Sequence, residues 1–452
     1  MQNNPMELDA LVLGAGPAGL ATASALAERG GRVAVVEPAG RSGGAVRSVA
    51  EDGWTVELGP HTLQLETEED ARLLDHLGLG AEMLEADVAS ARRFIAWGGR
   101  LHGVTPSPLS LLGSDLLSVG GRLRLLSEML RPRGGGPGET LRAFAERRLG
   151  TEAAERLVDP MVSGIFAGDP GRLVTEHALP SLARMEGEHR SIILGLARRK
   201  GPARRIVSFP GGLQRVTDAL AGRLPAGALR LGAQASLLRP VSGGWDVGWR
   251  EADGSIGGAR ARHLVVTAPP WQWAALPIEA PLGNLLREAE LVEAPPVALV
   301  VRGYDQSQVE HALNGFGLLV PRAEGRDVLG VLFPGSVFPS FCPRGKALLA
   351  TFIGGARAPA LARLDDAALG KLVDRELGAL VGARGAPERQ WIARWPRAIP
   401  QYTHAHGRFL AAMAEAEAAL PGLAFVGCFR GGVSLMSTLR RGRELGSALA
   451  VG

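Results

Sequence analysis

Residues 8–45 constrain this chain more than any other stretch. An apolar run from Asp9 to Leu13 leads straight into Gly14-Ala15-Gly16-Pro17-Ala18-Gly19, and an alanine-rich helical pattern follows to about Arg29. Strand, glycine turn and helix in that order are the front of a phosphate-binding βαβ unit. Gly14 permits the tight turn, Gly16 lets backbone amides approach a pyrophosphate, and Gly19 allows close contact between helix and strand. The helix N-terminus adds positive partial charge. A second strand from Arg32 to Val36 ends in Glu37, 18 positions after Gly19. Its carboxylate is placed to accept the hydroxyls of an adenosine ribose and to repel a 2′-phosphate, which disfavours NADP. Arg41-Ser42-Gly43-Gly44-Ala45 then adds bare backbone and one cation beyond what a nicotinamide site requires. FAD is the expected cofactor, with NAD as the alternative. In a chain with 62 glycines a lone GxGxxG is a weak signal. Here the preceding strand, the following helix and the downstream acid meet three context tests together.

At 452 residues and 46% apolar, the chain exceeds what one core usually accommodates, so two or three domains are expected. The balance of 50 Lys+Arg against 46 Asp+Glu leaves +4, too small an excess to imply a nucleic-acid partner. Cys342 and Cys428 are the only cysteines, which excludes a disulfide framework and a cysteine-based zinc or iron–sulfur site. No metal is expected. The first strand begins within about eight residues, without a charged or apolar leader, so a cytoplasmic location is expected. No uninterrupted apolar segment approaches the roughly 18 residues of a spanning helix.

Helical spacing runs from Glu66 to Leu77, and residues 104–131 mix apolar runs with arginines. Arg131 to Gly138 is rich in glycine and proline and breaks the pattern, after which Thr140 to Leu149 and Glu152 to Val162 resume helical periodicity. Strand signals dominate from Ala228 to Thr267, with a hairpin-like turn at Asp253-Gly254, and again from Val297 to Ile353. Asp365-Asp366 reads as a helix start, and the last unit is strand, glycine turn and helix from Leu423 to Leu449. His404 and His406 form an HxH pair without a carboxylate or cysteine at ligand spacing, so a loop with hydrogen-bonded imidazoles is expected there.

Several further segments carry a resemblance. Gly59-Pro60-His61, Ser163-Gly164-Ile165-Phe166-Ala167-Gly168-Asp169-Pro170, Glu188-His189-Arg190-Ser191-Ile192-Ile193 and Phe209-Pro210-Gly211-Gly212-Leu213-Gln214 stand in this order. Gly315 to Pro321 and Ile399-Pro400-Gln401-Tyr402 follow. Together with the N-terminal fingerprint, this set resembles the FAD-dependent protoporphyrinogen oxidase family within the amine-oxidase-like flavoproteins. The GIFAGDP and IPQY segments are the restricted ones.

The resemblance implies an α/β fold with an α+β substrate part. A Rossmann-like FAD domain is assembled from residues 1–70, 206–268 and 394–452. A mixed-sheet substrate domain takes 71–95, 175–205 and 269–393, and a helical membrane-associating insert spans 96–174. In the insert, Leu109, Leu111, Leu112, Leu116, Leu117 and Leu125 accompany Arg122, Arg124, Arg131 and Arg133. Such a surface suits peripheral contact with anionic lipid, while the alternative is that the leucines pack inward and the arginines are solvated. A homodimer is left open.

The implied activity is six-electron oxidation of protoporphyrinogen IX to protoporphyrin IX by hydride transfer to flavin N5, with oxygen as acceptor and heme biosynthesis as the setting. The redox chemistry belongs to the cofactor, so no catalytic side chain is expected. Arg93, before Phe94, matches the family's propionate anchor, because a guanidinium pairs a carboxylate in bidentate geometry. Gly164 would offer a backbone carbonyl to pyrrole N–H groups, and Phe316, Leu318, Trp271 and Leu276 would supply apolar walls. Around the cofactor the resemblance adds Gly59, Pro60, Ala235, Thr267, Ala268, Trp395, Gly427, Gly432, Val433 and Ser434.

Two departures bear on substrate. The Asp-Cys pair that the family commonly carries into its last helix is Ser437-Thr438 here, and His61 stands where asparagine or arginine is frequent beside the reacting face. Backbone dipoles at the helix start still favour negative charge at the flavin. Three alternatives therefore stay open: coproporphyrinogen oxidation, a paralogous oxidase or desaturase of another apolar substrate, and a non-enzymatic tetrapyrrole or FAD carrier.

Overall fold

The computed structural model describes residues 6–105, 113–198 and 204–452. The chain opens with β1 (Met6–Leu13), α1 (Pro17–Glu28) and β2 (Val33–Glu37), and continues through β3 (Arg93–Trp97) and β4 (Arg100–Val104) to α2 (Val119–Leu126) and α3 (Asp159–Phe166). Four strands follow: β5 (Leu229–Leu231), β6 (Gln234–Val241), β7 (Gly244–Arg250) and β8 (Ile256–Val266). Next come β9 (Val297–Asp305), β10 (Gly317–Leu319), β11 (Val328–Leu332) and β12 (Lys346–Gly354), then α4 (Asp366–Val381) and β13 (Arg389–Trp395). The last elements are α5 (His404–Ala419), β14 (Leu423–Phe425) and α6 (Leu435–Ala448).

The first sheet runs β5-β2-β1-β8-β7-β6, with β14 joined to β8. Its strands come from the beginning, the middle and the last part of the chain. β5, β2, β1, β8 and β14 are parallel, and β7 and β6 add an antiparallel hairpin. Parallel strands are covered on both faces, which is why β1 and β2 are almost continuously apolar. Ala10 and Val12 pack against α1 and α6, and Leu11 and Leu13 against α5. α1 and α6 lie unusually close. A Cβ on Gly442 or Gly446 would fall 2.4 or 2.2 Å from the carbonyl oxygens of Ala18 and Thr22, so only glycine permits the approach.

The second sheet runs β13-β9-β12-β11-β10-β3-β4. Strand alternation splits it into two faces. Ala298, Val300, Leu318 and Val331 turn toward α4, which contributes Leu369, Val373 and Leu377. Leu299, Val301, Leu348 and Ala350 turn the other way, onto Trp54 and Val56. β3 and β4 are joined at Gly98-Gly99, both with positive φ (60° and 74°), the conformation a two-residue hairpin requires. The expected start of the helical insert at residue 96 therefore moves, because the sheet continues to Val104.

In the insert the described leucines follow the inward-packing alternative. Leu116, Leu117 and Leu125 are buried, packing on Ile95, Val104 and Ala153. Helical spacing puts Val119, Leu123 and Leu126 on the outer stripe instead, with Leu130 one turn on, and Val119 and Leu130 are 72% and 87% exposed. Leu109, Leu111 and Leu112 lie outside the described residues. Among the described residues no helix is long and apolar enough to cross a membrane. Asp365 caps α4 through a 2.8 Å bond from the Ala368 amide, as its sequence position suggested.

Candidate functional site

The glycine turn after β1 is held open by geometry that side chains would block. Gly14 has φ +108°, and a Cβ there would lie 2.6 Å from Thr267 Oγ1, while one on Gly19 would fall 2.0 Å from the Gly14 carbonyl oxygen. Thr267 completes the turn by donating its hydroxyl to Leu13 O at 2.8 Å. Gly16 stands at the N-cap of α1, with Pro17 in the first turn and Ala18 buried behind it. The second glycine pair folds onto the first. Gly43 N donates to Ala15 O, and a Cβ on Gly44 would stand 3.0 Å from Gly16 Cα. Arg41 reaches over this loop to the carbonyls of Ser42, Gly44 and Val46. Glu37 turns back to the turn, accepting from the amides of Ala15 (2.8 Å) and Ala39 (2.9 Å). Bare backbone from two loops, a helix N-terminus and one carboxylate fit a dinucleotide: phosphates on the amides and a ribose beside Glu37. Ala235 sits at the irregular start of β6, half-buried against the same sheet, and Ala268 accepts from Trp273 Nε1 at 2.8 Å.

Gly59-Pro60-His61 closes the cradle on one side. A Cβ on Gly59 would lie 1.9 Å from Ala45 O, and Trp395 Nε1 donates to Leu58 O at 3.0 Å, pinning the segment to the end of β13. His61 Nδ1 lies 3.0 Å from Gly59 O, which makes Nδ1 the protonated nitrogen and leaves Nε2 a lone pair. Burial pushes the His61 pKa down to about 4, so the ring is neutral at physiological pH. Its edge meets Phe352 with centroids 5.1 Å apart.

Phe352 shows where the second sheet meets the cradle. The register places Ile95, Leu319, Gly330 and Phe352 in one row across β3, β10, β11 and β12. Arg93 is two residues from Ile95 and shares its face. Its guanidinium lies 4.9 Å from the centroid of Phe316 and donates to Ala91 O at 3.3 Å. Among the described residues no carboxylate pairs with it, and desolvation holds its pKa below the usual arginine value. Gly164, on α3, meets this face too: a Cβ there would stand 2.8 Å from Leu319 Cδ2.

Arg93, Phe316, Gly164 and His61 are thus brought to one region, and other expected wall residues are not. Leu318 points to α4 with the core, because adjacent strand residues face opposite ways; Leu319 holds the position expected of it. Leu276 packs under the first sheet. Trp271 is half-buried with the Arg397 guanidinium 5.9 Å from its ring. Phe352 and Leu319 escaped the sequence reading as wall residues, and the phase of the alternation along β10 and β12 was the signal that would have found them.

Below the C-terminal glycine turn, the hydroxyl of fully buried Tyr402 donates to Cys428 O (2.5 Å) and accepts from Gly432 N (3.0 Å). One side chain therefore closes both ends of the turn that leads from Gly427 into Val433 and Ser434. Ser434 caps α6 through the Ser437 amide, and Val433 packs with Tyr402 and Phe166. His404 and His406 begin α5 rather than a loop, and His406 stacks on Tyr402 at 4.0 Å.

A buried acid underlies the site. Glu57 accepts from Ser48 Oγ (2.6 Å) and Leu213 N (2.7 Å), yet desolvation outweighs both bonds and pushes its pKa up to about 8. The folded chain keeps this proton to about pH 8 whereas the unfolded chain releases it near 4.5, so stability falls as pH rises through that window. His61 acts in the opposite sense. Its unfolded ring takes a proton near 6.5 that the folded ring refuses until about 4, so stability also falls with acid. Thermal melting of Glu57→Gln should show a much flatter loss on the alkaline side, recovering several kcal/mol, and a steeper acid loss between about pH 6.5 and 4.5, where Glu57 offsets His61 in the parent. An unaltered alkaline slope would refute the assignment.

Residues 17–442 match the family described as flavin containing amine oxidoreductase. Mitochondrial protoporphyrinogen oxidase of Nicotiana tabacum is 32% identical over 95% of this chain and 92% of its own length. Coproporphyrinogen III oxidase of Bacillus subtilis (strain 168) is 25% identical over 90% and 89%. A crystal structure from Exiguobacterium sp. 255-15, whose name assigns it provisionally to protoporphyrinogen oxidase, superposes with a TM-score of 0.80 at 22% identity, covering 98% of both chains.

Proposed function

We propose that this chain, which belongs to the flavin containing amine oxidoreductase family and to its protoporphyrinogen oxidase branch, oxidises protoporphyrinogen IX to protoporphyrin IX with oxygen as final acceptor. The cofactor is FAD, which when bound accepts two electrons as hydride per turn, so three turns complete the macrocycle. The chain's own residues bind and orient. The two glycine loops would hold the phosphates, Glu37 would stand beside the ribose, and the Gly59 turn would border the ring. Arg93 pairs a propionate, and Leu319, Phe316 and Phe352 exclude water from the flat apolar ring.

The observation that carries this reading is Arg93, a half-buried cation without a carboxylate partner among the described residues, on the apolar face that abuts the cradle through His61 and Phe352. The same face favours two propionates over the four of coproporphyrinogen. Arg357, Arg322 and Arg156, further guanidiniums near α3, are already committed to Asp159, Asp169 and Glu152. Porphyrin fluorescence followed in air, with each reduced porphyrinogen in turn, tests the assignment. The expected result is rapid appearance of protoporphyrin and at least tenfold slower formation of coproporphyrin; the reverse order would overturn the substrate.

The exposed stripe of Val119, Leu123, Leu126 and Leu130, followed by exposed Arg131 and Arg133, is the face that rests on anionic lipid in this proposal. Withdrawing one leucine from a bilayer loses about 1–2 kcal/mol. A Leu123→Glu/Leu130→Glu variant should therefore float with anionic vesicles at least tenfold less than the parent while keeping its flavin. Equal flotation would remove the membrane from the account.

A further inference from the structure

The arginines around the C-terminal glycine turn are paired with acids, except one. Arg440 binds Asp70 at 2.7 Å, Arg443 binds Glu28 at 3.1 Å and Arg430 binds Glu417 at 2.8 Å. Arg441, between the first two on α6, has no ion pair and no hydrogen bond among the described residues, and its Nη1 is buried without a partner. It is also poorly solvated, since it lies flat beneath the turn. A Cβ on Gly431 would stand 2.6 Å from Arg441 Cζ, and one on Gly432 would stand 3.7 Å from Nη2. Glycine at 431 is what lets the guanidinium reach the underside of the backbone, and Gly431 itself faces outward, exposed.

A half-buried guanidinium without a counter-charge is costly, and proteins keep such a group where an anion completes it. Among the described residues no carboxylate forms an ion pair with it; Glu444, one turn on along α6, offers only longer-range attraction, which Arg430 and Arg440 oppose. Tyr402 holds the turn rigidly over Arg441 by bonding at both of its ends. Resting on the reading that FAD fills the glycine cradle, we propose that Arg441 is a positioning residue whose unpaired guanidinium, acting through the Gly431-Gly432 backbone, stabilises an anionic part of the bound cofactor. Two parts share that chemistry, the pyrophosphate and the electron-rich edge of the reduced ring.

Arg441→Gln and Arg441→Lys separate them, read by ADP binding to the apoprotein and by sulfite affinity and reduction midpoint of the holoprotein. If the pyrophosphate is the partner, Arg441→Gln weakens ADP binding at least tenfold. If the ring is the partner, ADP binding holds while sulfite affinity falls at least tenfold and the midpoint moves to more negative potential. Arg441→Lys, which keeps the charge, stays within threefold of the parent on the affected readout. Unchanged ADP affinity, sulfite affinity and midpoint in Arg441→Gln would overturn the proposal, as would an Arg441→Lys that loses as much as Arg441→Gln. A parent protein that takes up no flavin at all would instead sink the cofactor reading itself.

Discussion

Gly59→Ala is expected to yield a protein that purifies colourless and stays colourless with excess FAD. The added Cβ would lie 1.9 Å from Ala45 O, a collision between two backbone segments with no flexible side chain to yield. Relieving it means separating the Gly59-Pro60-His61 turn from the second glycine loop, and overpacking of this kind costs about 1–3 kcal/mol even where neighbours can shift. Here the neighbours are the cradle itself. Trp395 on Leu58 O and His61 on Phe352 would be displaced with the turn, so both the phosphate side and the ring side of the site lose register. Circular dichroism should show the fold retained while visible absorbance shows no flavin. A yellow Gly59→Ala protein of normal FAD affinity would mean that the turn does not border the cofactor.

The second large effect belongs to Arg93. A charged hydrogen-bond partner contributes about 1.5–3 kcal/mol, and the apolar setting of Arg93 beside Phe316 puts it toward the upper part of that range. At about 1.4 kcal/mol per tenfold, Arg93→Leu should lower kcat/KM for protoporphyrinogen by roughly 30- to 150-fold. Flavin content should not change, because the contacts of Arg93 among the described residues are to Ala91 O and the Phe316 ring, away from the glycine loops. Arg93→Lys should recover only part of the loss, since an ammonium cannot present two parallel donors to a carboxylate. A variant with unchanged kcat/KM would transfer the anchor to another residue.

What the sequence revealed and what it hid follow from the range of the interactions involved. The cradle at Gly14, Gly16, Gly19 and Glu37 is local: strand, turn, helix and acid stand within 30 residues, each with its own steric reason. The face of the second sheet is not local. Whether Leu318 or Leu319 meets Gly164 depends on the phase of a three-residue strand, and that is set by pairing with Phe94 and Ile95, more than 200 positions earlier. The leucines of the insert stayed ambiguous for a related reason. Amphipathic spacing identifies a stripe but not which stripe is covered, and Leu116, Leu117 and Leu125 are covered by residues from β3 and the 149–157 segment. Tyr402 stood in a recognisable motif, yet its clamp on Cys428 and Gly432 needed the folded chain to be seen.

The most direct measurement is to mix the yellow holoprotein with protoporphyrinogen IX in the absence of air and follow the flavin band. The proposed chemistry predicts that the band bleaches as substrate is added and returns with protoporphyrin fluorescence when air is admitted. A flavin that stays yellow in the presence of excess protoporphyrinogen would contradict it.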